Sequence, residues 1–136
     1  MSDVAPLLPV LRDFLHREVR PLEIGAGHSI PPEVLRGLAE LGVIGVTLPA
    51  AYGGAGCRAA DAVEVVATLA ERDRSVATTV GLHLGLGTRG LVAFGSRAQH
   101  DRWLPLLASG EGIAAFATTE PQAGSDLSAL SSLAQP

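Results

Sequence analysis

The feature that most narrows what this chain can fold into is the stretch from Ser75 to Gly95. It is apolar around nearly the whole circumference of a helix and carries His83, Arg89 and five glycines. A helix without a polar face needs neighbours on every side, so this one is expected at the centre of a helical bundle. The interruptions at His83 and Arg89, together with the glycines, argue against a membrane span. Gly81, Gly85 and Gly87 each weaken a helix by roughly 1 kcal/mol relative to alanine. They imply close approach of another backbone or a ligand, or else loose packing.

The flanking segments supply partners for such a helix. Leu8, Leu11, Leu15 and Val19 recur at helical spacing between about Leu7 and Leu22, and Gly25-Ala26-Gly27-His28 breaks the pattern. Pro31 and Pro32 suit a helical first turn. Val34, Leu35, Leu38 and Leu41 then line one face until Gly42 stops it. Val43 to Leu48 reads as a short extended piece leading into Pro49 and the turn Tyr52-Gly53-Gly54-Ala55-Gly56. That turn lacks the following Lys-Ser/Thr of a phosphate loop and is read as structural. Asp61 with Glu64 has the spacing of a capping box opening a third helix, with Val63, Val66, Ala67 and Ala70, that ends near Arg72-Asp73-Arg74. Ser75 is expected to open the fourth. Ser96 with Gln99 opens a fifth helix, bent at Pro105 and ended by Gly110 and Gly112. Ile113 to Thr119 reads as a strand, and Glu120 onward as loop. The expected fold is mainly α: a helical bundle over residues 1–112, with one short strand near the carboxyl end inside a strand-and-loop segment over 113–136.

Charge and composition remove several function classes. A formal net charge of −4 leaves no basic face for nucleic acid. One cysteine, Cys57, excludes an internal disulfide and a multi-cysteine zinc site, and no metal is expected. Met1-Ser2-Asp3-Val4-Ala5-Pro6 has no cationic start and apolar run, so no secretory signal is read and a cytoplasmic protein without a membrane anchor is expected. Charged residues make up 18%, against roughly 25% for an ordinary soluble domain. That deficit marks surface meant to be covered by further chain, subunits or a cofactor. All ten basic residues are arginine, which equally fits a coding bias that inflates Ala, Gly and Leu.

The most informative run is Ala115-Phe116-Ala117-Thr118-Thr119-Glu120-Pro121-Gln122-Ala123-Gly124-Ser125-Asp126-Leu127. Pro121 holds Glu120 extended, and Gly124 allows a turn that aims successive backbone N–H groups at one point. Ser125 adds a hydroxyl, and Asp126 or Ser128 is placed to cap a following helical turn. Such a turn grips an anionic or carbonyl-rich ligand, or is simply a turn.

Thr118 through Leu127 resembles the flavin-binding signature of the acyl-CoA dehydrogenase family. Leu41-Gly42-Val43-Ile44-Gly45-Val46, Pro49, Tyr52 to Gly56, Phe94-Gly95-Ser96 and Leu104-Pro105-Leu106-Leu107-Ala108-Ser109-Gly110-Glu111 fall in that family's order and spacing. The similarity runs from about Leu11 to Leu130. It implies that backbone groups of Phe116, Ala117, Thr118 and Thr119, with the Thr119 hydroxyl, meet the pyrimidine edge of FAD. Gly124 and Ser125 would follow the ribityl and pyrophosphate part, and Ser125 would also touch the pantetheine arm of an acyl thioester. The glycine-rich helix matches the one lining the family's acyl pocket, making Thr78, Thr79, Leu82 and Leu86 candidates for its wall or for simple core. His83 is read as a packed histidine rather than a base, since no acidic partner is near in sequence.

The family's reaction takes the α-proton of an acyl thioester with a glutamate from a carboxyl-terminal helical domain, while a hydride leaves the β-carbon for the flavin. A middle β-domain forms the second flavin wall. No catalytic residue is therefore assigned in this chain. The resemblance implies a partner chain or subunit bringing both missing domains, in an oligomer, with the acyl group on coenzyme A or on a carrier protein. A non-catalytic helical scaffold derived from the fold stands as the alternative. An acyl thioester oxidase of reduced size is disfavoured by the lack of a base. The closing run Ser131 to Pro136 departs from the family's continuation into a strand.

Overall fold

The structure, a computed structural model, describes residues 3–19 and 29–133. Among the described residues six α-helices follow in order: α1 (Leu7–Glu18), α2 (Pro32–Glu40), α3 (Ala59–Arg72), α4 (Arg74–Leu82), α5 (Thr88–Phe94) and α6 (Arg97–Ser109). A π-helical turn, His83–Gly87, joins α4 to α5, and single 3-10 turns occupy Ala50–Tyr52 and Leu127–Ala129. The expected end of the first helix at Leu22 and the Gly25–His28 break lie outside the described residues, as do the Met1-Ser2 start and the close at Ala134 to Pro136.

Helix α3 is the spine, packed against both α1 and α4. Its Val65 and Leu69 are fully buried among Leu11 and Leu15 of α1, Leu38 of α2, and Val76 and Val80 of α4. In α1 and α2 the apolar positions spaced three and four apart are the ones that turn inward. On α3 the expected face is the wrong one: Val63, Ala67 and Ala70 are exposed and Val66 half-buried, and Asp61, Val65, Thr68 and Leu69 are buried instead. A smaller cluster joins Leu104 and Ala108 of α6 to Leu48, with Tyr52 and Leu91 at its edge. The Arg72 guanidinium donates from Nε to the carbonyl of Val19 at 2.7 Å, tying the end of α3 to the end of α1. Arg12 and Glu71 also pair at 3.4 Å, but both are exposed and such pairs contribute little.

The helix ends show which local signals operate. Ser96 Oγ accepts from Gln99 N–H at 3.3 Å while Gln99 Oε1 accepts from Ser96 N–H at 2.7 Å, the reciprocal box expected for α6. Gly110, at φ 78, ends that helix in the left-handed conformation that favours glycine. Asp61 is not a cap, as its spacing to Glu64 implied. Helix α3 starts earlier, after Arg58 in extended conformation, so Asp61 sits one turn in and reaches back. Its carboxylate accepts from the Arg58 N–H at 2.8 Å and from the guanidinium at 3.1 and 3.2 Å. Helix α4 likewise begins before Ser75. Buried Asp73 accepts from the N–H groups of Ser75 (2.8 Å) and Val76 (3.0 Å). Asp73→Ala is expected to cost about 1–2 kcal/mol, seen as a lower urea midpoint at unchanged slope, whereas Asp73→Ser should recover most of it.

Val43 to Leu48, expected to be extended, is a succession of turns beginning at Gly42, whose φ is 76. Among the described residues no strand lies alongside it, and its side chains decide its path. Val43, Ile44, Val46 and Leu48 are each at most 2% exposed. A buried loop must satisfy its backbone, and this one does so locally. The glycine-rich turn that follows returns Ala55, Gly56 and Cys57 N–H groups to the carbonyls of Gly45, Leu48 and Val46 at 2.9–3.0 Å. Among the described residues there is no β-sheet.

Candidate functional site

Gly110 redirects the chain out of α6, and Gly112 N–H returns to the Leu106 carbonyl at 3.1 Å. Residues 113–119, expected as a strand, then run without a ladder, because no neighbouring strand among the described residues offers a partner. The run is nevertheless anchored at one point. The Ala114 N–H donates to Nδ1 of His83 at 3.0 Å. At Gly87, in the same π-helical turn, a β-carbon would come within 2.8 Å of the Ala114 carbonyl oxygen. Of the three glycines singled out in this helix, Gly87 answers to close backbone approach. Gly81 makes only ordinary contact with Val66, and Gly85 faces open space.

Beyond the anchor the expected flavin-contacting residues sit together on one exposed run. Phe116, Ala117 and Thr119 are exposed and Thr118 is half-buried. Among the described residues no backbone hydrogen bond engages Ala115 to Thr119, which leaves their N–H and C=O groups available. The reversal that follows is built differently from the expectation. Glu120 and Ala123 exchange backbone hydrogen bonds at 2.8 and 3.1 Å around Pro121 and Gln122, a turn in which proline's fixed φ suits the second position. Gly124 does not supply the reversal, since its φ is not in the left-handed region. It lies open, with no atom near its missing side chain, and Ser125 beside it is exposed. Asp126 is the cap: its carboxylate accepts from Ser128 N–H at 3.0 Å and from the Ser128 hydroxyl.

Sequence reasoning missed the role of Glu120. Its carboxylate accepts from the N–H groups of Ser131 and Ser132, each at 3.0 Å, and from the amide of Gln122 at 2.9 Å. Gln122 also donates to the Ser131 hydroxyl. The Ser132 hydroxyl and the Ser131 backbone hold the Glu120 carboxyl down at about 2, because hydrogen bonds to an ionised group favour it. An acid and two serines eleven and twelve residues apart have no local pattern that announces such a clasp.

The candidate acyl-pocket residues are not gathered in one place. Thr78 and Leu82 line a groove of about 380 Å³ shared with Val66 and Ala70 of α3. Thr79 and Leu86 line neither this nor the larger groove beside it, and Leu86 is 54% exposed. The π-helical turn accounts for this: its extra residue per turn rotates Leu86 away from the face that Thr78 and Leu82 share. The larger groove, about 670 Å³, is bounded by Val63, Val66 and Ala67 of α3 and by Gly81, Gly85 and Arg89 across from them. The bare Gly81 and Gly85, four apart, open this wall, and that spacing was the sequence signal available for it.

Comparisons with known proteins place this geometry among relatives. Residues 6–111 match the family profile described as acyl-CoA dehydrogenase, N-terminal domain. The mitochondrial very long-chain specific acyl-CoA dehydrogenase of Mus musculus is 36% identical over 129 residues, covering 94% of this chain and 19% of that protein. Butyryl-CoA dehydrogenase from Megasphaera elsdenii superposes with a TM-score of 0.79 at 29% identity, over 94% of this chain and 35% of that one. An acyl-CoA dehydrogenase of Bacillus anthracis, in complex with FAD, gives 0.76 at 30% identity, over 92% of this chain and 22% of that one. The chain thus spans about a fifth to a third of the length of these relatives.

Proposed function

The chain belongs to the acyl-CoA dehydrogenase family through its N-terminal domain, and on that premise we propose that it forms the helical wall of a site for FAD-dependent α,β-dehydrogenation of an acyl thioester. The observation that carries the reading is the anchored, exposed and backbone-unpaired run Ala115–Thr119 leading into the open Gly124-Ser125 pair. Free N–H and C=O groups along an extended segment fit the pyrimidine edge of an isoalloxazine, and a bare glycine beside a hydroxyl fits close approach by the chain that links it to the pyrophosphate. In this reading residues 113–136 are the cofactor-contacting segment and residues 1–112 their support. FAD bound there would accept the hydride from the β-carbon of the substrate.

The chain's own residues would bind and orient. Backbone groups of Phe116 to Thr119 and the Thr119 hydroxyl would hold the flavin, and Ser125 the pantetheine arm of coenzyme A or a carrier protein. The wall between α3 and α4, with Thr78 and Leu82, would border the acyl chain. The carboxylates of the segment are poorly suited to take the α-proton. Glu120 is locked as an acceptor with its carboxyl at about 2, and Asp126 is held low by the Ser128 hydroxyl and N–H; so weak a base removes protons inefficiently. The base and the second flavin wall would therefore come from a β-domain and a carboxyl-terminal helical domain, in the same polypeptide or a partner. Exposed Val63, Leu86 and Phe94, the last at 90% exposure, are apolar surface suited to being covered by such parts in an oligomer. No helix among the described residues is long and apolar enough to cross a membrane.

The segment is a surface rather than a cleft, so FAD is expected to bind this chain alone weakly or not at all. The test is flavin absorbance after purification, for this chain alone and with a second chain carrying a relative's β-domain and carboxyl-terminal domain. Flavin only with the second chain supports the reading. Stoichiometric flavin on this chain alone overturns the division of the site, and no flavin in either preparation leaves a helical scaffold as the function.

A further inference from the structure

We propose that His83 is a positioning residue for the cofactor-contacting segment, and that the π-helical turn His83–Gly87 is the mount on which this segment is set. From Gly112 to Glu120 the chain has a single hydrogen-bonded tether among the described residues, the Ala114 N–H to His83 Nδ1 bond at 3.0 Å. The hydrogen bonds on either side belong to Gly112 and Glu120. Among the described residues the groups between them have no other hydrogen bond to hold them to the bundle.

Four observations converge on that tether. His83 is fully buried, an unusual place for an imidazole that does no work for its neighbours. An Nδ1 that accepts must be unprotonated, so the proton sits on Nε2. That atom is buried and makes no hydrogen bond, though the backbones of Leu107 and Ile44 lie close enough to act on the ring. The ring's hydrogen bond among the described residues is therefore the one to Ala114. Gly87 lets Ala114 close in, since a β-carbon there would stand 2.8–2.9 Å from the Ala114 carbonyl and side chain. The hydroxyls of Thr47 and Thr88 both donate to the Leu84 carbonyl, at 3.4 and 3.3 Å, satisfying a backbone group inside the wider turn. Polar and steric fit therefore meet on one residue, two positions before Phe116.

The assignment rests on the reading that Phe116–Thr119 meet the flavin, and the experiment separates the two. His83→Leu removes the acceptor, while His83→Asn keeps an amide oxygen near the place of Nδ1. Ala114→Pro removes the donor while keeping the His83 imidazole in the chain. In the free chain, NMR is expected to show the Ala114 amide losing protection in His83→Leu. Order parameters across 115–119 should fall below about 0.6 while α3 and α4 stay rigid. In the flavin-loaded assembly with the two missing domains, FAD affinity should fall roughly tenfold in His83→Leu and Ala114→Pro, the scale of one lost hydrogen bond. His83→Asn should recover most of both effects, which a merely packed histidine would not predict. Unchanged order across 115–119 in both His83→Leu and Ala114→Pro overturns the proposal. Should His83→Leu fail to fold, Ala114→Pro decides alone. If the wild-type assembly takes no FAD, the flavin reading fails while the order parameters still decide the tether.

Discussion

Leu69→Ala is expected to lower the stability of the bundle by about 3 kcal/mol, within the roughly 2–5 kcal/mol range for truncating a buried leucine. Leu69 is 0% exposed in the last turn of α3, the helix that packs on both α1 and α4, so the space it leaves is walled by helices. A cavity of that kind cannot collapse without moving a whole element, and the loss therefore combines transfer and cavity contributions. For a chain of this length the melting midpoint should fall by about 10 °C or more. The comparison is Val63→Ala on the same helix: Val63 is 67% exposed and should cost no more than about 0.5 kcal/mol. Equal effects at the two positions, by thermal or urea denaturation, would mean that α3 is not the spine of the fold.

The second large effect is a dependence of stability on pH that belongs to His83. Burial holds its imidazole below the ordinary value of 6.5, and the backbones of Leu107 and Ile44 pull the other way without reversing it. The folded ring is therefore neutral where the unfolded ring begins to take up protons. The unfolded chain binds more protons in that range, so stability rises with pH. The contribution is fully present above about 6.5 and is lost progressively below it, by up to about 1.4 kcal/mol per pH unit, until the folded ring itself protonates. Protonation would also turn Nδ1 from an acceptor into a donor facing the Ala114 N–H. Urea midpoints between pH 7.5 and 5 should show this slope in the wild-type chain and lack it in His83→Asn. The depressed carboxyls of Asp61, Glu120 and Asp126 act below their ordinary values of 3.8, 4.5 and 3.8, outside the window. An identical slope in His83→Asn would show that another group carries the effect.

Much of the helical architecture was legible from residues a turn apart. The periodic leucines and valines of α1 and α2, the box at Ser96 and Gln99 and the stops at Gly42 and Gly110 all act within one or two helical turns. Their outcome hardly depends on the rest of the chain. Starts without a strong signal slipped: Asp61 proved to be inside α3, and Asp73 rather than Ser75 opened α4. Cap identity depends on which residue goes extended, and several polar residues there were equally eligible. Of the site, the run Phe116–Ser125 was visible as a motif; in the structure Phe116, Ala117, Thr119, Gly124 and Ser125 are exposed, while Ala123 is buried and Thr118 half-buried.

What the sequence by itself determined is thus the succession of helices, the buried faces of α1 and α2 and the place of the cofactor-like segment along the chain. The buried face of α3, and its place at the centre instead of the glycine-rich stretch, were decided by packing. Only the tertiary structure decided that Ile113–Thr119 is not a strand, that Glu120 clasps Ser131 and Ser132, that the fourth helical stretch widens into a π-helical turn, and that His83 holds Ala114. The division has a physical cause. A helix closes its hydrogen bonds four residues away and can be read locally, whereas a strand, a clasp or a tether needs a partner that only folding brings near. His83 and Ala114 stand 31 residues apart in the chain and 3.0 Å apart in space.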